Sequence, residues 1–327
     1  MRAEQPIKIY TLSGEIYNSP LESADKIARA REEGASLESA SVHSTAESLR
    51  MPARAATIAG SDSSGGAGIQ ADIKTFQECG VYGMSVITAL TAQNTLGVHD
   101  VHRIPAAHIA AQFDALEEDV RPDAVKTGML ADGGTIHLVS ERLANFHWPN
   151  IVVDPVMIAK GGTALLEENA IEKLRTQLLP IATVVTPNIP EAAALASIAI
   201  HSRNDQLEAA KQLHDLGARY VLVKGGHGPD KDCSADLLYD GAGGWWIEGP
   251  RHHTMRTHGT GCTLSSAITA YLAKGYSVLD SVIKAKQYIH MAIKYPIAVG
   301  NGHGPVNHWA VRMLDRGEES LCHYIKN

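Results

Sequence analysis

The sequence predicts an α/β protein whose central sheet is mainly parallel and carries helices on both faces. Continuous apolar runs such as "NIVVDPVM" and "YVLVKGG" lack the alternation of a half-buried strand, so they indicate strands that are buried on both faces. These runs alternate with helix-like segments such as "PAAHIAAQFDALEEDV", and this alternation is typical of a parallel sheet with crossover helices. Hydrophobic residues make up 44% of the chain and aromatic residues only 5%, which suits helices packed on an aliphatic sheet.

Three parts follow one another along the chain: a leader over residues 1–54, one main domain over 55–310, and a tail over 311–327. The leader holds a strand-like piece, "IKIY", and then a polar segment for which we expect a solvated helix in a flexible arm, with a partner-binding arm as the alternative. Later in the chain, "ADLLYDGAGGWWIEGP" has two short runs around glycines, which predict an antiparallel hairpin at one sheet edge. Two helices are expected between Thr260 and Pro296.

The bulk properties exclude several classes of function. The formal net charge of −7 gives no reason to expect binding to nucleic acid or to a membrane surface. No apolar run reaches the length of a membrane span, and no signal peptide opens the chain. The four cysteines are widely spaced and form no C-x-x-C pair, which indicates a reducing compartment. We therefore expect a cytoplasmic protein.

Two glycine-rich segments lie where a strand passes into a helix, and ligands of open parallel sheets bind at the carboxyl ends of strands. "AGSDSSGGAG" follows the first strand, but it is not G-x-G-x-x-G and lacks the lysine of a P-loop. In "RTHGTGCTLSSA", the residues Gly259, Thr260 and Gly261 precede Cys262 at the start of an apolar helix. Unpaired N–H groups and the positive end of a helix dipole converge at such a start, so the second segment predicts an anion site.

Side chains that suit Mg²⁺ and phosphate follow other strands. "VDPVM" places Asp154 at a strand end shortly before Lys160, and "TPNIPEA" places Asn188 and Glu191 around the next. "LVKGGH" places Lys224 at a third. Taken alone, N-x-x-E is also a common helix cap, and a single lysine is usually solvated. Together with the anion site, however, these oxygen ligands and cations supply what phosphoryl transfer requires.

The order of the segments resembles a known family. "TIAGSDSSGGAGIQADIKTF", "VITALTAQNT", "KTGML", "VDPVM", "TPNIPEA", "VKGGH" and "THGTGCTLSSA" are similar to the hydroxymethylpyrimidine (phosphate) kinases of thiamine biosynthesis, over about residues 54–308. The resemblance implies a ribokinase-like three-layer sandwich. It also implies transfer of phosphoryl groups from ATP, with Mg²⁺, to 4-amino-5-hydroxymethyl-2-methylpyrimidine and to its monophosphate, and we expect a homodimer.

The resemblance also implies a set of site residues. The pyrimidine would contact Gly60, Ala67, Asp72, Gln93, Met129 and Val156. The nucleotide would contact Lys224 and Lys286, and Mg²⁺ would bind near Asp154 and Glu191. From their places in the segments above, we also expect Lys160, Asn188 and Thr260 to contact ATP. The catalytic loop would be formed by Gly259, Gly261 and Cys262.

Cys262 is the expected general base. A thiol at a helix N-terminus has its pKa lowered from about 8.5 towards neutrality, where it can accept the proton of the substrate hydroxyl. The alternative is a small side chain that fills space under the loop. Two alternatives to the pyrimidine kinase also stay open: a pyridoxine or pyridoxal kinase, which shares this fold, and a non-catalytic module that binds the pyrimidine.

Overall fold

The computed structural model describes residues 7–17, 51–158, 165–167, 170–228 and 230–315. Ten strands form one sheet in the order β1-β10-β9-β8-β7-β6-β5-β2-β3-β4. The strands are β1 (Lys8–Thr11), β2 (Arg54–Asp62), β3 (Tyr82–Asn94), β4 (Gly97–Arg103), β5 (Ala124–Thr127), β6 (Ile151–Val153), β7 (Val184–Val185), β8 (Tyr220–Val223), β9 (Cys233–Tyr239) and β10 (Gly244–Pro250).

The middle of the sheet is parallel, as the apolar runs predict. Strands β3, β2, β5, β6, β7 and β8 pair in parallel with their neighbours. Every residue of β5, β6 and β7 is buried, which explains why these strands show no alternation of polar and apolar residues. The predicted hairpin is formed by β9 and β10, which pair antiparallel beyond β8, and β4 pairs antiparallel at the opposite edge.

Helices cover both faces of this sheet. They are α1 (Gly68–Glu78), α2 (Ala106–Asp119), α3 (Gly133–Phe146), α4 (Ala170–Lys173), α5 (Ile189–Ala196), α6 (Arg203–Asp215), α7 (Thr260–Ala273), α8 (Val278–Lys294) and α9 (Ala310–Asp315). The apolar sides of α2 to α6 lie in one core, whereas those of α1, α7 and α8 lie in a second core on the other face. The α/β architecture with helices on both faces is therefore confirmed. None of the described helices is long and apolar enough to cross a membrane.

The leader contributes to the sheet, which corrects the boundary expected at residues 54 and 55. Strand β1 pairs antiparallel with β10, with Ile9 opposite Ile247, and both side chains are buried in the core under α7 and α8. The helix expected in the leader lies outside the described residues. The boundary expected at 310 and 311 falls within α9, where Met313 is buried, so the tail also begins inside the folded domain.

Candidate active site

A cavity of about 610 Å³ opens at the carboxyl ends of the parallel strands. Each parallel strand from β2 to β8, in the order of the sheet, contributes a residue at or after its end to the lining of this cavity. These residues are Gly60 in β2, Met129 after β5, Asp154 after β6, Asn188 after β7 and Lys224 after β8. Parallel strands end at the same side of a sheet, so residues distant in sequence converge there. Every predicted site residue lines this cavity except Asp72 and Lys160. Lys160 lies outside the described residues.

Asp62 at the end of β2 organises the first glycine-rich turn. Its carboxylate accepts hydrogen bonds from the backbone N–H groups of Ser64, Gly66 and Ala67 at 2.8–3.2 Å. The same carboxylate lies 2.8 Å from Nε2 of His258, which is buried. Burial alone would raise the pKa of Asp62, but the hydrogen bonds from His258 and Ser64 outweigh it and lower this pKa to about 2. Asp62 therefore stays ionised and joins the two glycine-rich loops.

Neither Asp62 nor His258 is among the predicted site residues, although both lie in the two motifs from which the site was predicted. The contact between the loops also explains one glycine. Gly259 has a left-handed φ of +78°, and a Cβ at this position would overlap the carbonyl oxygen of Gly66. Only glycine permits both the conformation and the close approach.

The start of α7 forms a cradle of N–H groups. Gly259 is the N-cap residue, and Gly261 and Cys262 occupy the first turn of the helix, where backbone N–H groups have no acceptor inside the helix. Thr260 donates its own N–H and its hydroxyl back to the carbonyl of Thr257. The cradle therefore offers the N–H groups of Gly261 and Cys262 to an anion in the cavity.

The acid–base state of Cys262 differs from the sequence prediction. Burial raises the pKa of its thiol to about 11, and the carboxylates of Asp72 and Asp154 raise it as well. Lys126 and the N–H of Gly68 act in the opposite direction but do not overcome burial. The expected lowering towards neutrality is therefore wrong, because burial, together with two carboxylates that are remote in sequence, outweighs the effect of the helix end.

Asp154, Glu191 and Lys224 form a second charged group in the cavity. Nζ of Lys224 lies 2.9 Å from Oδ1 of Asp154 and 4.0 Å from Oε2 of Glu191. The N–H of Asn188 donates to Glu191, whose own N–H donates to the side chain of Asn188, so the predicted capping box is present as well. Burial raises the pKa of Glu191 to about 7; Lys224 opposes this shift and Asp154 adds to it.

This group fits a hard cation. The ammonium of Lys224 already lies between the two carboxylates, Asp154 and Glu191, so the structure places positive charge there. Among the described residues, no cluster of three or more His, Cys, Asp or Glu side chains could hold a metal ion. The carboxylates of Asp154 and Glu191 suit Mg²⁺, which usually binds through one or two carboxylates together with water and substrate phosphates.

Lys286 lies at the far end of the cavity, beyond Lys224. Its Nζ donates to Oδ2 of Asp236 at 2.7 Å, and its side chain is almost fully buried. Ile289 and Ile293, one and two turns further along α8, line the cavity beside it. This end offers a cation and an apolar wall, which suits a nucleotide with its phosphates directed towards Lys224.

Gln93 marks the opposite end, together with Met129 and Val156, which also line the cavity. The amide nitrogen of Gln93 lies 3.4 Å from Nε2 of His258, but that ring nitrogen must carry a hydrogen in order to donate to the ionised Asp62. Two donors cannot bond to each other, so among the described residues no hydrogen bond holds the N–H groups of this amide.

Asp72, predicted to contact the pyrimidine, does not line the cavity. It is completely buried, and it accepts hydrogen bonds from Lys126, Thr57 and Ser266. A direct contact between this carboxylate and a substrate is therefore excluded in this arrangement.

A model of the family described as phosphomethylpyrimidine kinase matches residues 62–307, which include this entire cavity apart from the end of β2. The chain belongs to the phosphomethylpyrimidine kinase family. It is 49% identical over 259 residues to the hydroxymethylpyrimidine/phosphomethylpyrimidine kinase of Bacillus subtilis, covering 79% of this chain and 96% of that protein. The resemblance carried by the sequence motifs is therefore confirmed.

Solved structures agree on the fold. The pyridoxal kinase of Bacillus subtilis, determined as an ADP complex, superposes with a TM-score of 0.76 and 42% identity, over 80% of this chain and 100% of that one. The phosphomethylpyrimidine kinase of Clostridium difficile has a TM-score of 0.65 and 45% identity, over 73% of this chain and 99% of that one. The family therefore has relatives of two named activities on one fold.

Proposed function

We propose that this protein phosphorylates 4-amino-5-hydroxymethyl-2-methylpyrimidine and then its monophosphate, with ATP as donor, in thiamine biosynthesis. One observation carries the proposal: a single loop connects the two ends of the cavity. His258, at the start of this loop, lies beside Gln93, and a Cβ on Gly261 would lie 3.4 Å from Nζ of Lys224. A ring held by Gln93 and a triphosphate held by Lys224 therefore both face the N–H cradle.

In the first transfer, the hydroxyl oxygen of the pyrimidine forms a bond to the γ-phosphorus of ATP. The bond from this phosphorus to the bridging oxygen breaks, ADP leaves with the electron pair, and the hydroxyl proton passes to the thiolate of Cys262. The transition state is loose, so positioning and neutralisation of charge contribute more than the strength of the base. The N–H groups of Gly261 and Cys262 bind the phosphoryl oxygens.

In the second transfer, the nucleophile is a phosphate oxygen of the monophosphate. Its second pKa is about 6, so this oxygen carries no proton at neutral pH. The second transfer therefore needs no base, whereas the first transfer does.

Mg²⁺ belongs to the same proposal. Asp154 and Glu191 would hold it, and the ion would supply charge neutralisation for the triphosphate. Lys224 contributes by moving its ammonium from the two carboxylates to the phosphate oxygens, a short path because its Nζ already lies at the cradle.

Product analysis tests the function. The purified protein, ATP, Mg²⁺ and the pyrimidine alcohol should yield the monophosphate and then the diphosphate, as identified by mass spectrometry. A Gln93→Leu variant is the matched control, since it keeps the nucleotide end and loses the ring contact. Binding of the alcohol without either product would favour a non-catalytic pyrimidine-binding module.

Pyridoxal phosphorylation is a second candidate, favoured by the similarity to the Bacillus subtilis pyridoxal kinase. Both alcohols are flat heteroaromatic rings with a hydroxymethyl group, and the apolar walls of Met129 and Val156 would accept either. The two candidates are separated by measuring kcat/KM for each alcohol under the same conditions, with a higher value expected for the pyrimidine.

For its assembly and location, we propose a cytoplasmic homodimer that does not bind nucleic acid. Among the described strands, β4 is the outermost one on its side of the sheet, and this supports the dimer because its backbone groups can pair with a second copy. The free thiols of Cys79, Cys233 and Cys262 are consistent with a reducing compartment, and the net charge of −7 disfavours nucleic acid. Light scattering coupled to size-exclusion chromatography checks the mass of the assembly.

A further inference from the structure

Arg251, which directly follows β10, lines the cavity and binds carbonyl groups of two other segments. Its terminal nitrogens donate to the carbonyl oxygens of Gly225, Gly226, Gly228 and Cys233. Three of these bonds come from Nη2 and measure 3.1–3.4 Å. Residues 225–228, here called the β8 loop, directly follow Lys224, and Cys233 begins β9. One guanidinium therefore ties the β8 loop to β9.

The β8 loop needs such contacts from outside. Three of its four residues are glycine, which loses more conformational freedom on folding than any other residue. The N–H of Gly228 donates to the carbonyl of Gly225 at 2.9 Å and closes one turn. A Cβ on Gly226, however, would meet nothing within 4 Å, so this part of the loop is not fixed by packing.

Gly225, the residue directly after Lys224, is held from two sides. Its N–H donates to Oδ1 of Asp236 at 2.7 Å, and its carbonyl accepts from Arg251 at 3.1 Å. A Cβ on Gly225 would overlap the carbonyl oxygen of the residue before Asp236, so the loop packs directly on β9. Asp236 also accepts from Lys286 at 2.7 Å. This network therefore joins Lys224 and Lys286, the two lysines at the nucleotide end, through one peptide segment.

The hydrogen-bond partners of Arg251 explain why a guanidinium stands here. Lys224 pairs with the carboxylate of Asp154, and Lys286 pairs with that of Asp236. The partners of the Arg251 side chain among the described residues are all backbone carbonyls, and its buried Nε has no partner among them. A planar fork of five N–H groups can bridge several carbonyls at once, whereas an ammonium is a compact point charge. The fork therefore suits the task of fixing a loop.

We propose that Arg251 is a positioning residue for the nucleotide: through the carbonyls of the β8 loop it fixes Lys224, which in turn binds the triphosphate. This deepens the proposed function and rests on it, because it takes ATP as the ligand of Lys224. The backbone N–H of Lys224 donates to the carbonyl of Pro187 at 2.8 Å, so the neighbouring strand end holds the chain before the loop. Arg251 holds the chain after it.

A double-mutant cycle tests the proposal. Fluorescence titration with N-methylanthraniloyl-labelled ATP and Mg²⁺ measures Kd for the wild type, Arg251→Met, Lys224→Gln and the double variant. We expect Arg251→Met to raise Kd at least about tenfold. In the Lys224→Gln background, the same change should raise Kd by less than about threefold, because the residue through which Arg251 acts is already absent. The Kd for the pyrimidine alcohol, measured by calorimetry, should stay within about threefold in Arg251→Met.

A matched control is Arg203, whose guanidinium contacts β10 away from the β8 loop. Its Nη2 lies 2.6 Å from Oε1 of Glu248, its guanidinium lies 4.8 Å from the ring centre of Trp246, and it is not among the residues that line the cavity. Arg203→Met should leave the Kd for labelled ATP within about threefold.

Arg251→Lys keeps the positive charge but loses the fork, so its Kd should stay at least about fivefold above that of the wild type. If Arg251→Met fails to fold, Arg251→Lys takes its place in the cycle.

The outcomes separate this proposal from the proposed function. An equal loss in both backgrounds overturns the proposal, since Arg251 then acts on the nucleotide without Lys224. An unchanged Kd in Arg251→Met, or a wild-type Kd in Arg251→Lys, overturns it as well. A wild type that binds ATP but makes no pyrimidine phosphate removes the proposed function, while the cycle still decides the role of Arg251. A wild type without affinity for ATP overturns both.

Discussion

Replacing Cys262 by alanine should slow the first phosphoryl transfer and spare the second. The first transfer removes a proton from an alcohol, whereas the nucleophile of the second is a phosphate oxygen that is already ionised. The N–H groups of Gly261 and of residue 262 are kept in the variant, so the Kd for ATP should stay within about threefold. The two transfers thus act as test and control within one active site.

The size of the effect depends on pH. With a pKa of about 11, about one Cys262 thiol in ten thousand is ionised at pH 7 and about one in a hundred at pH 9. Raising the pH deprotonates the thiol, so kcat/KM for the alcohol should rise about tenfold per pH unit over this range and level off only near pH 11. General-base catalysis accelerates a reaction roughly 10²–10⁴-fold, which corresponds to about 2.7–5.4 kcal/mol. We expect Cys262→Ala to lose activity with the alcohol by this factor at pH 9. The loss at pH 7 should be about a hundredfold smaller, because the thiolate is a hundred times rarer there.

The assay couples ADP release to a spectrophotometric reaction, with the alcohol or the monophosphate as substrate, between pH 6.5 and 9.5. Cys262→Asp should recover part of the activity with the alcohol, and its profile should be flat over this range because a carboxylate is ionised throughout. The reasoning is refuted if Cys262→Ala keeps kcat within about threefold at pH 9, or if it slows both transfers equally. In the first case, Cys262 is a packing residue.

Three further predictions follow from the geometry. Gln93→Leu should weaken pyrimidine binding by about 1–3 kcal/mol, because a hydrogen bond to the ring is lost, and should leave ATP binding unchanged. Calorimetry measures both, and an unchanged Kd for the pyrimidine would show that Gln93 is not part of the site. Mg²⁺ binding near pH 7 should release a proton from Glu191, whose pKa of about 7 must fall as the carboxylate becomes a ligand. Calorimetry in two buffers of different ionisation enthalpy measures this release, which should vanish in Glu191→Gln; persistence of the release would place the metal elsewhere. Deleting residues 1–50 should lower the free energy of unfolding by about 2 kcal/mol, because Ile9 leaves the core, and should change kcat/KM by less than tenfold. Denaturant unfolding measures the first effect and the kinetic assay the second. A larger kinetic loss would place the leader in the active site.

The sequence was sufficient to predict the fold because the parallel strands can be recognised from their amino-acid composition. Strands such as β6 and β7 are buried on both faces, so their residues are apolar without alternation. The convergence of Asp154, Asn188 and Lys224 could be predicted for the same reason, since residues that follow such strands meet at one edge of the sheet. The contacts expected for the pyrimidine came from the family resemblance instead. Strand β1 was less predictable as part of the sheet, because its partner β10 is remote in sequence.

The electrostatic environment of the site residues could not be predicted from the sequence. The helix end at Cys262 predicts a lowered pKa by a local rule, but burial and two remote carboxylates decide the sign. Asp72 was assigned to the pyrimidine from its motif, whereas its side chain lies behind the cavity and pairs with Lys126. Both errors arise from contacts between residues far apart in sequence, and such contacts determine the local electric field.

The same electric field links the proposed metal site to the proposed base. Asp154 raises the pKa of Cys262 and also that of Glu191, and it is itself held ionised largely by Lys224 despite its burial. Neutralising the charge of Asp154 therefore removes one of the two carboxylates that add to the effect of burial on the pKa of Cys262. Linkage is reciprocal, so a thiolate at Cys262 must favour a cation at Asp154 by the same free energy. Positive charge that accumulates around the triphosphate therefore lowers the pKa of the Cys262 thiol and raises the fraction of thiolate.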